Sequence, residues 1–576
     1  MTGRKWLQAS LILLIGTAIV VYVACSCTHR RAPHDSGAIQ FTDVTSESGI
    51  RFTHVNGAAG HKLLPETMGG GVAVIDFDRD GRPDLFFTNG RPWPGQPGKA
   101  TQAIYRNKGD GTFEDVTQAA GLAVELYAMG VAVGDIDNDG WPDLFLTAVG
   151  GNRLFRNVDG KRFEDISEAA GFGKPPSWSG TYDEFLARAE PLSFPASAAF
   201  LDYDNDGKLD LFVCNYLTWS PAFDLGVKAV LAGGGRAYVP PQQFPATHCQ
   251  LFRNVDGKRF EDVSAAAGVQ VSEARGPVGK SLGVVVCDPD HDGWPDLVVA
   301  NDTERNFFFH NVKGKFEEEG RFSGLAYADG RPRGGMGIDA AEDRIVVANF
   351  SNEPNSLFKR VGENPLRFAD IAAEAGLAGP SRSPMKFGAL FADFNRDGRI
   401  DLFTCNGHLE PDIATAQSGQ TYKQPAQLFR NAGGAFELEN TTFPAIVGRG
   451  CAYLDYDGDG DLDLVLVENG GPARLLRNDE PRRNGVRFRL TGTTSNRDAI
   501  GAEIAIGDQW WLVSPTHGYL SQCERTATFG GVKDTIDRVT VRWPGPAGKV
   551  QEWRGLKAGE TYELTEGLAE AKPVPR

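Results

Sequence analysis

The sequence predicts an all-β protein. It reads as a seven-bladed β-propeller followed by a small β-sandwich-like domain, with a hydrophobic helix at the N-terminus. Three observations predict this. Short apolar strands recur between Gly- and Asp-rich turns from Phe41 to about Asn478, with little helical periodicity. Six of those turns carry one spacing of acidic residues. After Pro481 the repeats stop, and a differently patterned run of strands begins.

The acidic turns are the most informative element. In Asp135-Ile-Asp137-Asn-Asp139-Gly140-Trp-Pro-Asp143, acidic side chains occupy positions 1, 3, 5 and 9, and glycine occupies position 6. Alternate residues of a turning loop can aim at one point, and the glycine permits the bend that brings position 9 back. Six to eight oxygen donors in flexible geometry suit Ca2+. The other copies are Asp76, Asp78, Asp80, Asp84; Asp202, Asp204, Asp206, Asp210; and Asp288, Asp290, Asp292, Asp296. Two more are Asp393, Asn395, Asp397, Asp401 and Asp455, Asp457, Asp459, Asp463, the last with Asp461 added at position 7. An EF-hand needs a bidentate Glu at position 12. Here that position is Phe87, Leu146, Val213, Val299, Thr404 and Leu466, each within an apolar strand, so the loops read as hairpin tips. Up to six Ca2+ ions are expected. Plain Asp-Gly turns are the alternative, and the repetition of one ligand spacing argues against it.

Counting decides the architecture. Strands of the metal-loop type begin near residues 72, 131, 198, 283, 335, 388 and 450. The copy near 335 has lost its loop, since Asp339-Ala-Ala-Glu-Asp343 runs directly into Arg344–Asn349. A second type, Leu154-Phe-Arg-Asn157, also recurs seven times. A third, Phe113-Glu-Asp-Val116, often precedes an Ala-Ala-Gly turn. Its orphan copy, Phe41-Thr-Asp-Val44, comes first, whereas the last repeat lacks a fourth strand. Seven four-stranded sheets closed by an N-terminal strand make a propeller with shielded edges. Trp178–Glu190 and Thr218–Thr247 are insertions, and long loops on a rigid scaffold often bind partners.

The chain of 576 residues has a formal net charge of −16, of which six calcium ions would offset most. No basic stripe interleaved with aromatics is present, which argues against nucleic acid. Eight cysteines form no CxxC pair and no zinc spacing. Cys214 and Cys249 bracket the second insertion, and the sequence leaves a disulfide between them open.

Residues 1–27 hold Arg4 and Lys5, an apolar run from Leu7 to Ala24, and Cys25-Ser-Cys27. They predict a signal peptide, a membrane anchor, or a lipoprotein signal ending at Cys25, although Tyr22 departs from the small aliphatic residue usual there. The body is expected outside the cytoplasm, secreted or anchored, with membrane contact only through this segment. Residues 28–40 read as a tether, 41–480 as the propeller, 484–567 as the second domain and 568–576 as a tail. In the second domain Val486–Leu490, Ala502–Ile506, Trp510–Val513 and Arg538–Trp543 read as strands.

The repeats resemble the FG-GAP, or VCBS, blades of integrin-α-type propellers. Gly492-Thr-Thr-Ser-Asn496-Arg497-Asp-Ala-Ile-Gly501-Ala502, with His517-Gly-Tyr-Leu-Ser-Gln522 and Val541-Arg-Trp543-Pro-Gly545, resembles the ASPIC/UnbV domain. Their order, with Gly335-Met-Gly-Ile-Asp339 and Asn406-Gly-His408, is similar to the cartilage acidic protein family. The resemblance covers Phe41 to Gly567. It implies an extracytoplasmic calcium-binding propeller with no established catalytic residue set. The chain departs from the family at Thr528-Phe-Gly-Gly-Val532, where a histidine, a phenylalanine and a Gly-Leu-Gly run are usual, and at the truncated loop near 339.

Catalytic motifs are weak. Gly279-Lys-Ser281-Leu-Gly283 has nucleophile-elbow spacing, but Ser281 opens a strand instead of ending one. No His-Glu-x-x-His pattern occurs. Two functions follow. One is a binding module for a protein or glycan partner, with calcium structural. The other is a calcium-dependent extracytoplasmic hydrolase or lyase acting on phosphate esters or polysaccharide. An enzyme is expected to show one altered metal site beside a histidine, for which His291 in the fourth loop is the sequence candidate. His408 and His517 are the other histidines to follow, with local hydrogen bonding in turns expected for both.

Overall fold

The computed structural model describes residues 39–174, 179–481, 484–545 and 548–574. The N-terminal signal or anchor, Cys25, most of the tether and the start of the first insertion lie outside them.

The architecture is all-β and propeller-like. Seven four-stranded antiparallel sheets succeed one another along the chain. The first comprises Val72–Ile75, Asp84–Phe87, Ala103–Asn107 and Phe113–Asp115, and the second Ala128–Gly134, Asp143–Ala148, Arg153–Val158 and Arg162–Asp165. The third holds Pro195–Leu201, Asp210–Asn215, Gln250–Asn254 and Phe260–Asp262, and the fourth Ser281–Cys287, Asp296–Asn301, Phe307–Asn311 and Phe316–Glu318. The fifth is Gly335–Ala341, Arg344–Asn349, Ser356–Glu363 and Leu366–Asp370, and the sixth Lys386–Ala392, Asp401–Asn406, Gln427–Asn431 and Phe436–Leu438. The seventh joins Gly448–Leu454, Asp463–Glu468 and Arg474–Asn478 to Phe41–Asp43, with Phe41 opposite Asn478 and Asp43 opposite Leu476. The orphan strand thus fills the vacancy in the last repeat, as the count predicts.

The first strands neighbour one another in sheet order, and that of the seventh sheet meets that of the first. Both faces of each first strand are therefore covered. This is why Ala128–Gly134 and Gly448–Leu454 are buried throughout, without the alternation of a half-exposed strand. Apolar side chains of adjacent sheets mesh, as where Ala73 and Ile75 meet Val131 and Val133. The Ala-Ala-Gly turns form single helical turns such as Ser167–Ala170, ended by Gly171 at φ 101°.

The C-terminal domain has two four-stranded sheets. One runs Ala527–Gly530, Gly485–Thr491, Thr561–Thr565, Ala571–Val574, and the other Gln509–Leu512, Glu503–Ile506, Val539–Arg542, Val550–Trp553. Phe488, Leu490, Phe529 and Leu564 of the first share a core with Ile504, Val539, Val541 and Trp553 of the second. Residues read from sequence as tail include the paired strand Ala571–Val574. Cys214 and Cys249 are free and buried, and Cys249 Sγ lies 3.1 Å from Ser281 Oγ. Among the described residues no helix is long and apolar enough to cross a membrane.

Candidate metal centres

In each of the six acidic loops the chain turns through two left-handed residues, at positions 4 and 6. Asn138 has φ 55° and Gly140 97°; His291 has 57° and Gly293 85°. The turn aims the position-6 N–H at Oδ2 of the first aspartate. Gly81, Gly140, Gly207, Gly293, Gly398 and Gly460 bond Asp76, Asp135, Asp202, Asp288, Asp393 and Asp455 at 2.7–3.1 Å. Asp84, Asp143, Asp210, Asp296, Asp401 and Asp463 at position 9 each accept, through Oδ1, the N–H of an asparagine on the third strand.

Those carboxylates converge. Ligand oxygens of Asp76, Asp78 and Asp84 lie within 4.8 Å of one another, as do those of Asp135, Asp137 and Asp143; of Asp202, Asp204 and Asp206; and of Asp288, Asp290 and Asp292. Asp76, Asp78, Asp204, Asp290 and Asp455 each keep a buried Oδ1 with no hydrogen-bond partner. A hard cation fits that arrangement, because buried carboxylate oxygens without a donor are otherwise strongly destabilising. Burial, then neighbouring charge, shows the strain. It pushes the carboxyls of Asp135, Asp202, Asp288 and Asp393 up to about 7, and that of Asp76 to about 6. Burial pushes Asp84 to about 9. At position 5, Asp80, Asp206 and Asp397 instead pair with the position-7 side chains Arg82, Lys208 and Arg399.

The asparagine that ends each Leu-Phe-Arg-Asn strand ties neighbouring loops together. Asn157 Nδ2 donates to Pro142 O of its own loop and to Phe77 O of the preceding one, at 3.2 and 2.9 Å. Asn254, Asn311 and Asn478 repeat this with Ile136, Tyr203 and Phe394. Asn107 in the first sheet reaches Tyr456 O in the seventh at 2.8 Å, which closes the series. The fifth sheet has no asparagine at this place; Arg360 donates to Pro289 O instead.

The C-terminal domain covers all six loops. Arg489 donates to Gly81 O, and Asp498 Oδ2 accepts from Asp135 N at 2.7 and 2.8 Å respectively. Thr494 lies beside Gly207, and Arg542 donates to His291 O. Gly531 N bonds Arg396 O at 2.9 Å, and buried Arg487 bridges Asp455 and Glu524. From this domain, Val513–Glu524 runs down between the first strands, and every residue of the segment is buried. Leu520 O accepts from Val131 N, Gly518 and Ile338 exchange two backbone bonds at 3.0 Å, and Gln522 pairs with Val72 and Val74. Leu520 N bonds Ser197 Oγ, Tyr519 packs on Phe387, and Glu524 N bonds Tyr453 O. Six of the seven sheets therefore hold the segment.

Residues 492–571 match the family model described as ASPIC and UnbV, and residues 76–146 and 137–213 match that of the FG-GAP-like repeat. The chain carries FG-GAP-like repeats followed by an ASPIC/UnbV domain. It is similar to Cartilage acidic protein 1 of Homo sapiens, 26% identical with 88% of this chain and 72% of the relative covered. The same protein of Mus musculus is 26% identical, with 83% and 71% covered. Among solved structures it resembles, with a TM-score of 0.38 and 10% identity, BBS1N in complex with ARL6DN, covering 77% of this chain and 97% of that one. An Agrocybe aegerita lectin described as recognising non-reducing terminal N-acetylglucosamine gives a TM-score of 0.32 at 14% identity, with 71% and 94% covered.

His291 and His517 fall differently from the sequence reading, and His408 falls as expected. His291 turns away from its loop and pairs with Glu503 of the ASPIC/UnbV domain, 2.5 Å away. His408 bonds locally, accepting from Glu410 N at 3.0 Å, whereas His517 reaches Asp339 in the first strand of the fifth sheet, ahead of its shortened turn. His310, which sequence reasoning passed over, stands beside the fourth loop, with Nε2 3.2 Å from Asp290 Oδ2. The signal for it was available: the other five loop-bearing sheets have arginine at this place in the strand.

Proposed function

We propose that the protein is an exported, calcium-binding seven-bladed β-propeller that serves as an interaction module for a protein or glycan partner outside the cytoplasm. Each four-stranded sheet is a blade. The Ca2+ ligands are the position 1, 3, 5 and 9 side chains of the six loops, an all-oxygen set, and the ion's part is to neutralise buried carboxylates and stiffen hairpins. At free calcium tenfold above Kd, each independent site adds about 1.4 kcal/mol. Export rests on the basic residues and apolar run at the N-terminus.

One observation carries the reading. All six acidic loops lie at one end of the sheets, beneath the ASPIC/UnbV domain, and the long insertions lie at the other. Antiparallel order puts the segments between second and third strands opposite the metal loops. There Trp93 stacks on Tyr127 and Phe185 at 4.3 and 4.9 Å, Trp219 donates to Asp224, and Lys62 bridges Glu410 and Asp412. The inserted loops thus form one packed platform, with Phe223 and Val230 exposed on it. That platform is the partner-binding face.

The test is a glycan and protein binding screen with the intact chain, with and without calcium, followed by Phe223→Ser and Val230→Ser. Binding that needs calcium and is lost in these variants supports the reading. Binding that persists in chelator, or in both variants, contradicts it.

A further inference from the structure

The fourth loop differs from the other five at two positions that act on one point. The first is position 2. In the other loops the N–H of Phe77, Ile136, Tyr203, Phe394 or Tyr456 donates to Oδ2 of the position-9 aspartate at 3.0–3.2 Å. The fourth loop has Pro289 there, which has no N–H. Asp296 Oδ1 still accepts from Asn311 N at 2.6 Å, but its Oδ2 has no partner, in a residue only 1% exposed. An unpaired carboxylate oxygen at that depth is strongly destabilising unless a cation takes it.

The second difference is the side chain over the loop. Arg106, Arg156, Arg253, Arg430 and Arg477 occupy the place before the asparagine in the other loop-bearing sheets. A guanidinium has no lone pair to give a metal. The fourth sheet has His310, whose Nε2 faces Asp290 and whose Nδ1 lies 3.6 Å from Glu319. Ligand atoms of Asp290, Asp296 and His310 lie within 4.8 Å of one another, a second grouping that shares Asp290 with the set Asp288, Asp290 and Asp292. At 3.6 Å Glu319 is beyond hydrogen-bond reach and Nδ1 has no partner, so Glu319 supplies negative charge near the ring and not a bond to it.

We propose that the fourth loop is a mixed nitrogen–oxygen site for a divalent first-row transition ion, with His310 Nε2, Asp290 and the unpaired Oδ2 of Asp296 as ligands. Imidazole suits ions such as Zn2+ and Co2+, whereas Ca2+ takes oxygen donors. The proposal rests on the reading of the loops as cation sites, replaces calcium in the fourth of the six, and holds whether or not the other five bind calcium.

The experiment uses the intact chain, stripped with chelator and returned to millimolar calcium. Zn2+ is titrated, the excess is removed by desalting, and metal per chain is measured. Co2+ in place of Zn2+ gives a visible spectrum that reports nitrogen ligation. The expected result is about one tightly held Zn2+ per chain, weakened at least tenfold to a hundredfold by His310→Arg, the residue found at this place in the other five. His310→Gln is the second variant, and calcium-dependent thermal unfolding checks that both fold. Zn2+ retained equally by folded His310→Arg and His310→Gln, or fully displaced by calcium in the wild type, overturns the proposal. A calcium shift without Zn2+ binding overturns this inference alone, and one-per-chain Zn2+ without a calcium shift supports it while refuting the broader reading.

Discussion

His517 Nδ1 lies 2.6 Å from Asp339 Oδ1, joining the ASPIC/UnbV domain to the one sheet that has lost its acidic loop. Asp339 is fully buried, and its other oxygen accepts from Phe391 N at 2.6 Å. Asp339 sits within the first strand of that sheet, where Leu390 stands in the sixth, and this buried in-strand carboxylate receives the imidazole. His517 Nε2 faces Ser514 O at 2.9 Å, so both ring nitrogens meet acceptors, which favours the imidazolium.

Burial would lower the His517 pKa, but the charge and hydrogen bond of Asp339 outweigh it and the value is raised. The folded state then holds a proton that the unfolded state releases first. The pair's contribution is full below the ordinary imidazole value of about 6.5 and is lost as pH rises through the folded value. His517→Gln is expected to cost about 3–5 kcal/mol at pH 6, with the gap to wild type narrowing at alkaline pH. Urea unfolding across pH, in calcium, checks both; a constant gap would refute the ion pair.

The inserted segment needs glycine beside it. A Cβ on Gly71 would lie 2.2 Å from Leu520 O, which is backbone and cannot swing aside. Gly71→Ala is expected to cost about 1–3 kcal/mol and to raise hydrogen exchange at Leu520 and Gln522. Gly226→Ala is the control, since a Cβ there meets nothing.

Asn107 joins the first sheet to the seventh through Tyr456 O and holds its own loop through Pro83 O, at 2.8 and 3.2 Å. Asn431 bonds Ile400 O of its own loop, and the fifth sheet before it has no acidic loop to tie. Asn107→Ala is expected to lower stability by about 1–3 kcal/mol, more than Asn431→Ala does. Equal losses in denaturant titration would mean that the tie between sheets is unimportant.

Glu66 is buried beneath the inserted loops, its carboxylate accepting from Trp93 Nε1 at 2.9 Å. Burial pushes it up to about 7. For an acid shifted this way the folded state keeps the proton longer. Stability therefore falls as pH rises from the ordinary carboxyl value of about 4.3 to about 7, and the loss is complete above that. Glu66→Gln should match wild type near pH 4 and exceed it near pH 8 by roughly 1–3 kcal/mol. Thermal unfolding at the two pH values decides it.

The sequence carried the sheets because their signal is local. Each apolar run is bounded by its own turn, and the orphan Phe41–Asp43 strand could be placed by counting. Six loops were legible for the same reason, since ligand spacing lies within nine residues. What was hidden depends on neighbours distant in sequence. Arg487 meets Asp455 only after the domains dock. The Val513–Glu524 segment has no strand alternation, because its partners are backbone groups on four sheets and the Ser197 hydroxyl and Phe387 ring on two more. The asparagine ties cross between neighbouring loops, and the donor missing at Pro289 matters only because position 2 reaches the position-9 carboxylate in the folded turn.

The most direct test is thermal unfolding of the chain from Phe41 onward, first in chelator and then across a calcium titration. The account predicts a large rise in midpoint that saturates near millimolar calcium and is weakened by Asp137→Ala or Asp204→Ala. An unchanged midpoint, with no metal in the purified protein by elemental analysis, would contradict it and leave the six loops as plain acidic turns.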